Sequence, residues 1–346
     1  MTWYGVILKS SPSSSASAPP LLRLRSFVRS APMVDTTHGF HPLTPHDAPS
    51  FMAYKRLNLI RNLIIILILF VFFNVVALSL AVSSAPSVSA LDGLAPAGSA
   101  RILCAVMLAL CSCVVLSDVT VGAFPYLDKH KFHVTNTPLG SLTYLTFEGV
   151  TSQFVCYTSN AIAEVALAAN GCDTKGSGSL AEQSEWLCPS ARRVLFLTHA
   201  AATFAGALGC IVSILFFVLV WNGPDFKAVR RYWDKHVGGF SENMIRGHVP
   251  PLLLAIVDIT VVKRRALLSS IPVNDTVIAM CFALAYLILV NTVSYLNGGY
   301  YPYPFMVEFL GRKPLRWIVF YFAVTGFALS VTAALKMLSR HYTIWP

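Results

Sequence analysis

Gly140-Ser141-Leu142-Thr143-Tyr144-Leu145-Thr146-Phe147-Glu148 opens a run that passes through Gln153 and Asn160 and stays largely apolar to Ala169. Read as one helix from about Leu142 to Ala169, it carries a polar stripe. Thr146, Gln153 and Asn160 follow one another at seven-residue steps, and at ~100° per residue each lags the last by only ~20°. Polar groups are costly to present to hydrocarbon, so this face should look into protein. Two readings stand side by side. The stripe is interhelical hydrogen-bonding glue, or Thr146 is a nucleophile near a membrane surface and needs a partner elsewhere in the chain.

Composition extends the membrane reading from this segment to the whole chain. Of 346 residues 55% are hydrophobic and only 12% charged, with mean hydropathy +0.62. A soluble protein of this length carries about twice that charge. Helices and closed barrels are the structures that satisfy their backbone in lipid, and the long continuous apolar runs exclude the short alternating strands of a barrel. The expected fold is therefore all-α, a polytopic helical membrane protein. The formal charge of +10 lies between the apolar runs, which fits membrane-flanking loops rather than a nucleic-acid footprint. Six cysteines (Cys104, Cys111, Cys113, Cys156, Cys210 and Cys281) lie inside apolar runs and read as small core residues. Cys172 and Cys188 bound one polar loop. No CxxC pair points to zinc.

Along the chain, residues 1–50 form a Ser/Pro-rich, aperiodic tail. Its early basic residues, Lys9, Arg23, Arg25 and Arg29, precede the first acid, Asp35. Such a start reads as a disordered tail or as a mitochondrial transit peptide. Seven spans follow: Leu63–Val82, Ile102–Phe124, Leu142–Ala169, Val194–Trp221, His248–Val262, Val277–Leu296 and Trp317–Leu335. Asp118, near the end of the second, reads as a snorkelling acid. His130 and His133, three apart in a basic loop, read as solvated rather than as a metal pair. His199 reads as a packing residue. Asn222 to Gly247 reads as a polar, basic loop. It leads to Arg246-Gly247-His248-Val249-Pro250-Pro251, where prolines suit a first helical turn and place His248 at or just before a helix start.

Seven alternating spans make the third and fifth parallel, so Thr146 and His248 share one membrane face. The turn Tyr301-Pro302-Tyr303-Pro304 joins the sixth and seventh spans on that same face. A hydroxyl is a weak nucleophile until a base takes its proton, and histidine is the commonest such base. No third group is evident. Asp258 lies ten residues beyond His248, ~15 Å along a helix, and Glu148 points nearly opposite Thr146.

These pieces together resemble the androgen-induced and androgen-dependent multipass proteins, which hydrolyse fatty acid esters of hydroxy fatty acids. The resemblance rests on Leu145-Thr146-Phe147 with Gln153, on Gly247-His248 with Asp258, and on Gly299 leading to Tyr303-Pro304-Phe305 and Glu308. They occur in the family's order over roughly residues 100 to 340. It implies Thr146 as nucleophile and His248 as its base. Gly149 beside Glu148, and Pro250-Pro251 after the histidine, depart from the family pattern, and these departures bear on substrate preference. The tail and the first span appear as additions to it.

The resulting expectation has three parts: residues 1–50 as tail, 51–98 as an added helix and loop, and 99–341 as a six-helix hydrolase core. Thr146 and His248 act on a lipid ester. Gln153, Asn160 and Tyr303 bind it, Tyr303 by roofing the cavity. The expectation includes no metal, cofactor or nucleic acid. The alternatives are a non-catalytic signalling protein of the same fold or a transporter, although a transporter favours internal repeats and mid-membrane charge pairs. An endomembrane, ER-like, is the expected location, with a mitochondrial membrane as the alternative. Lys and Arg are somewhat denser in loops on the Thr146 side. Cys172, Cys188 and the sequon Asn274-Asp275-Thr276 lie on the other. The Thr146 face is thus expected in the cytosol.

Overall fold

The computed structural model describes residues 60–75, 98–121, 142, 144–170, 187–223, 226–227, 230–231, 234–235, 239–264, 268, 275–296, 301, 303, 306 and 313–342. The N-terminal tail, His130, His133, Cys172 and Asn274 lie outside these. Among the described residues there is no strand. The helices are α1 (Ile60–Val75), α2 (Ser99–Val121), α3 (Leu145–Ala169), α4 (Leu187–Leu215, continued by a π turn at Phe216–Trp221), α5 (Phe240–Val262), α6 (Asp275–Leu296) and α7 (Pro314–Tyr342). Five of them, α2 and α4 to α7, are long and apolar enough to cross a membrane. At 25 residues α3 has the length as well, but its polar stripe lowers its hydropathy.

Several helices outrun their apolar runs. α4 starts at Leu187 and α7 covers Pro314–Tyr342, because a helix satisfies its own backbone and needs apolar side chains only across hydrocarbon. The largest correction concerns the segment expected as a loop before His248. α5 already begins at Phe240, after Gly239 in the left-handed region (φ 71°). Its first turns are amphipathic, with Phe240 buried and Glu242 and Arg246 exposed. Polar residues hid this turn from a hydropathy reading.

α3 sits at the centre and packs chiefly on α4 and α2. More than half of its residues are buried. Close approach of α3 and α4 depends on glycine. A Cβ on Gly149 would come within 2.9 Å of Val212, and one on Gly209 within 2.0 Å of Gln153 Nε2. Small residues at helix contacts are how bundles pack without a hydrophobic force between helices. α1 joins α3 through Asn74 Nδ2, which donates to Ser159 Oγ at 3.0 Å, and through Phe70 against Phe154. α6 packs on α7 and touches α4 only lightly, which leaves a gap. Of the cysteines expected in the core, Cys156 and Cys210 are buried, but Cys111, Cys113 and Cys281 face outward. Lipid accepts a thiol as readily as a core does, so hydropathy cannot separate the two.

Candidate active site

The start of α3, the middle of α5 and the α6–α7 connection meet at one end of the bundle. Tyr144 is extended and offers no side-chain cap, so the first amides of α3 need partners from elsewhere. Leu145 N–H finds one in Tyr303 Oη, at 3.0 Å. The Tyr303 ring stands edge-on to Tyr144, centroids 5.8 Å apart. This fixes the first turn of α3, and with it Thr146.

Thr146 Oγ1 lies 3.0 Å from His248 Nε2. His248 is the last residue before Val249-Pro250-Pro251, where α5 breaks and restarts. Its Nδ1 lies 2.7 Å from the Met244 carbonyl one turn earlier. A carbonyl can only accept, so Nδ1 carries the proton. In the neutral ring Nε2 then holds the lone pair, and the Thr146 hydroxyl donates to it. Phe216, in the π turn of α4, stacks on the imidazole at 3.6 Å and 15°. π turns recur at functional sites because they re-aim a side chain without ending the helix.

From this pair a cavity of about 1120 Å³, open mouth included, runs toward the opposite end of the bundle through the gap between α4, α6 and α7. Its wall is apolar, including Phe204, Ile211, Phe282 and Val324, with Thr146, His248 and Tyr303 at one end. The arrangement is a hydroxyl, an imidazole bonded to it and an apolar slot beside them.

Gln153 and Asn160 do not line the cavity. Gln153 Nε2 donates to the Pro251 carbonyl at 2.8 Å, tying α3 to α5. Asn160 Oδ1 accepts from Thr198 Oγ1 and from Lys263 Nζ, both at 3.0 Å. The seven-residue stripe therefore has two uses. Its first member faces the cavity, while its deeper members hold helices together, because the drift along the stripe turns them toward α4 and α5. Asp258 is buried 3.7 Å from Lys263 Nζ and serves that ion pair. His199 is buried, with Nδ1 on the Leu195 carbonyl and Nε2 accepting the Arg264 amide.

A second polar cluster, missed in the sequence, occupies the other end. Arg101 Nη2 reaches both Glu164 oxygens at 2.7 and 2.6 Å, and Arg264 Nη2 lies 3.5 Å away. All three are buried. Glu164 is an intramembrane acid and carried the signal that would have found it. Cys188, at this end, is disulfide-bonded. Among the described residues no three His, Cys, Asp or Glu converge in a way that could hold a metal.

The family model for FAR-17a/AIG1-like protein matches residues 107–340. The chain belongs to the FAR-17a/AIG1-like family. The matched FAR-17a/AIG1-like segment contains Thr146, His248 and Tyr303 and leaves α1 outside. No curated protein and no solved structure matches the chain. The Met244 carbonyl and Phe216 could not be found from motifs. One is a backbone atom, and the other depends on a π turn whose sequence, Phe216-Phe217-Val218-Leu219, reads as plain apolar helix.

Proposed function

We propose that this FAR-17a/AIG1-like protein is a membrane-embedded hydrolase of lipid esters, with fatty acid esters of hydroxy fatty acids as the substrate class. The observation that carries the reading is the 3.0 Å contact between Thr146 Oγ1 and His248 Nε2, with the opposite ring nitrogen held by Met244. That is a nucleophile, a base and an orienting acceptor in sequence. His248 takes the Thr146 proton as Oγ bonds to the ester carbon. It returns that proton to the departing alcohol oxygen as the C–O bond breaks, leaving the acyl group on Thr146. A water then gives a proton to His248 and attacks the acyl carbon; the C–Oγ bond breaks, His248 returns the proton to Thr146 Oγ, and the fatty acid leaves. Tyr303 closes the polar end, and the apolar slot takes a chain.

Purified protein should hydrolyse long-chain esters, and Thr146→Ala and His248→Ala should each lose at least about 10³-fold in kcat. The double variant should be scarcely worse, since the two act as a unit. Turnover by Thr146→Ala near that of the wild type removes the reading.

The same reading puts the protein in an endomembrane with Thr146 facing the cytosol. A disulfide at Cys188 calls for an oxidising compartment at the opposite end. In intact microsomes an impermeant maleimide should leave Cys188 unmodified until the membrane is permeabilised and the bond reduced. Modification of Cys188 from the cytosolic side without either treatment reverses the orientation.

A further inference from the structure

Acyl transfer places negative charge on the carbonyl oxygen, and a hydrolase must supply donors where that charge develops. Besides His248, the Tyr303 phenol is the polar side chain that the fold fixes beside the nucleophile. Its oxygen accepts the amide of Leu145, the residue before Thr146, at 3.0 Å, and the phenol lines the same end of the cavity as Thr146 and His248. Tyr286 lines the cavity beside it. With the Leu145 N–H donating into the phenol oxygen, the O–H of Tyr303 can turn its proton into the cavity end where Thr146 must meet an ester carbonyl. We propose that the Tyr303 hydroxyl is the side-chain donor that stabilises the oxyanion formed when Thr146 attacks an ester, an inference that rests on the hydrolase reading above.

The geometry suits the role. After attack, Oγ and the oxyanion share one carbon, so a donor within reach of Oγ meets the oxyanion after a small shift. The Leu145 amide is already spent on holding the phenol, which makes it a positioning group and leaves the phenol as donor. Burial pushes the Tyr303 phenol up to about 12, so it keeps its proton at any working pH. The same enclosure strengthens a hydrogen bond to a charge that appears only in the transition state. No electrons or protons are transferred by Tyr303. The carbonyl π pair moves onto oxygen during attack and returns when the alcohol leaves, and the phenol donates throughout.

The test uses the full chain in detergent. Tyr303→Phe removes one oxygen and keeps the ring against Tyr144. The expected result is a kcat loss of about 10²–10³-fold with KM little changed. A trifluoromethyl ketone bearing the same acyl chain, which forms a tetrahedral adduct, should lose potency by a similar factor. An ether analogue, which forms none, should bind as it does to wild type. Wild-type kcat in Tyr303→Phe overturns the proposal, as does an equal weakening of ether and ketone, which marks a mere roof. If Tyr303→Phe does not fold, a fluorinated tyrosine incorporated at position 303 keeps the hydroxyl but acidifies it. Only the protonated phenol donates, so the substituted protein should gain an alkaline fall in kcat at a pH where the wild type shows none, and its absence overturns the proposal. Full activity in Thr146→Ala instead removes the hydrolase reading itself.

Discussion

At the scale of single residues, a backbone carbonyl fixes the tautomer of His248. Met244 O holds Nδ1–H, and this leaves Nε2 to face Thr146. Side-chain spacing alone could not supply this partner, because any residue one turn before a helical histidine offers a carbonyl. Pro250 and Pro251 lack the amide protons that the Arg246 and Gly247 carbonyls would accept, so the helix breaks just beyond His248. Asp258, ten residues on, is occupied by Lys263. The expectation that it does not orient the imidazole follows from helix geometry and agrees with where it lies. Phe216 adds a flat apolar face at 3.6 Å. It restricts the imidazole to rotation in its own plane and covers one face of the ring.

At the scale of elements, α3 links the two ends through one helix face, and Gly209 sets how closely α4 can follow it. A methyl at Gly209 would sit 2.0 Å from Gln153 Nε2 and 2.8 Å from the Pro251 carbonyl. Gly209→Ala should therefore cost about 1–3 kcal/mol, as overpacking does, read as a lower melting temperature in detergent. Gln153→Ala in the same chain should relieve part of that loss, because it removes the nearer clash. Strictly additive costs for the two changes would mean the contact is not tight. The elements themselves were legible in the sequence. The apolar runs located α2, α4, α6 and α7, and alternation of direction brought Thr146, His248 and Tyr303 to one end. The amphipathic first turns of α5 and the π turn in α4 were not legible, since one lacks an apolar run and the other has nothing but one. Gln153 and Asn160 shared a face with Thr146 in projection. A few tens of degrees of drift send them to α5 and α4 instead, and only packing decides that.

At the scale of the molecule, the bundle divides its polar groups between two ends and leaves a slot in between whose length is a physical quantity. On α4 the cavity wall runs from Phe216, beside His248, to Phe204, and on α7 from Phe320 to Thr332. Twelve residues at ~1.5 Å each give ~18 Å on both helices. An extended hydrocarbon with C–C bonds near ~1.5 Å in a zigzag advances ~1.25 Å per carbon, so about 14 carbons fill that depth. Phe204 and Phe282 meet edge-on there, centroids 5.3 Å apart, and bridge α4 and α6 where these helices otherwise barely touch. The pair is the floor of the slot under the hydrolase reading. Across a series of esters with lengthening acyl chains, kcat/KM should climb to about 14 carbons and then level off. Each methylene buried before the floor contributes up to about 0.8 kcal/mol, roughly fourfold in kcat/KM. Phe204→Ala should move the plateau to longer chains and leave short esters almost unaffected, because the change lies far from Thr146. Superimposable chain-length profiles for wild type and Phe204→Ala would show that the acyl chain lies elsewhere, against α6 or in the surrounding lipid, and that the aromatic pair only holds helices together.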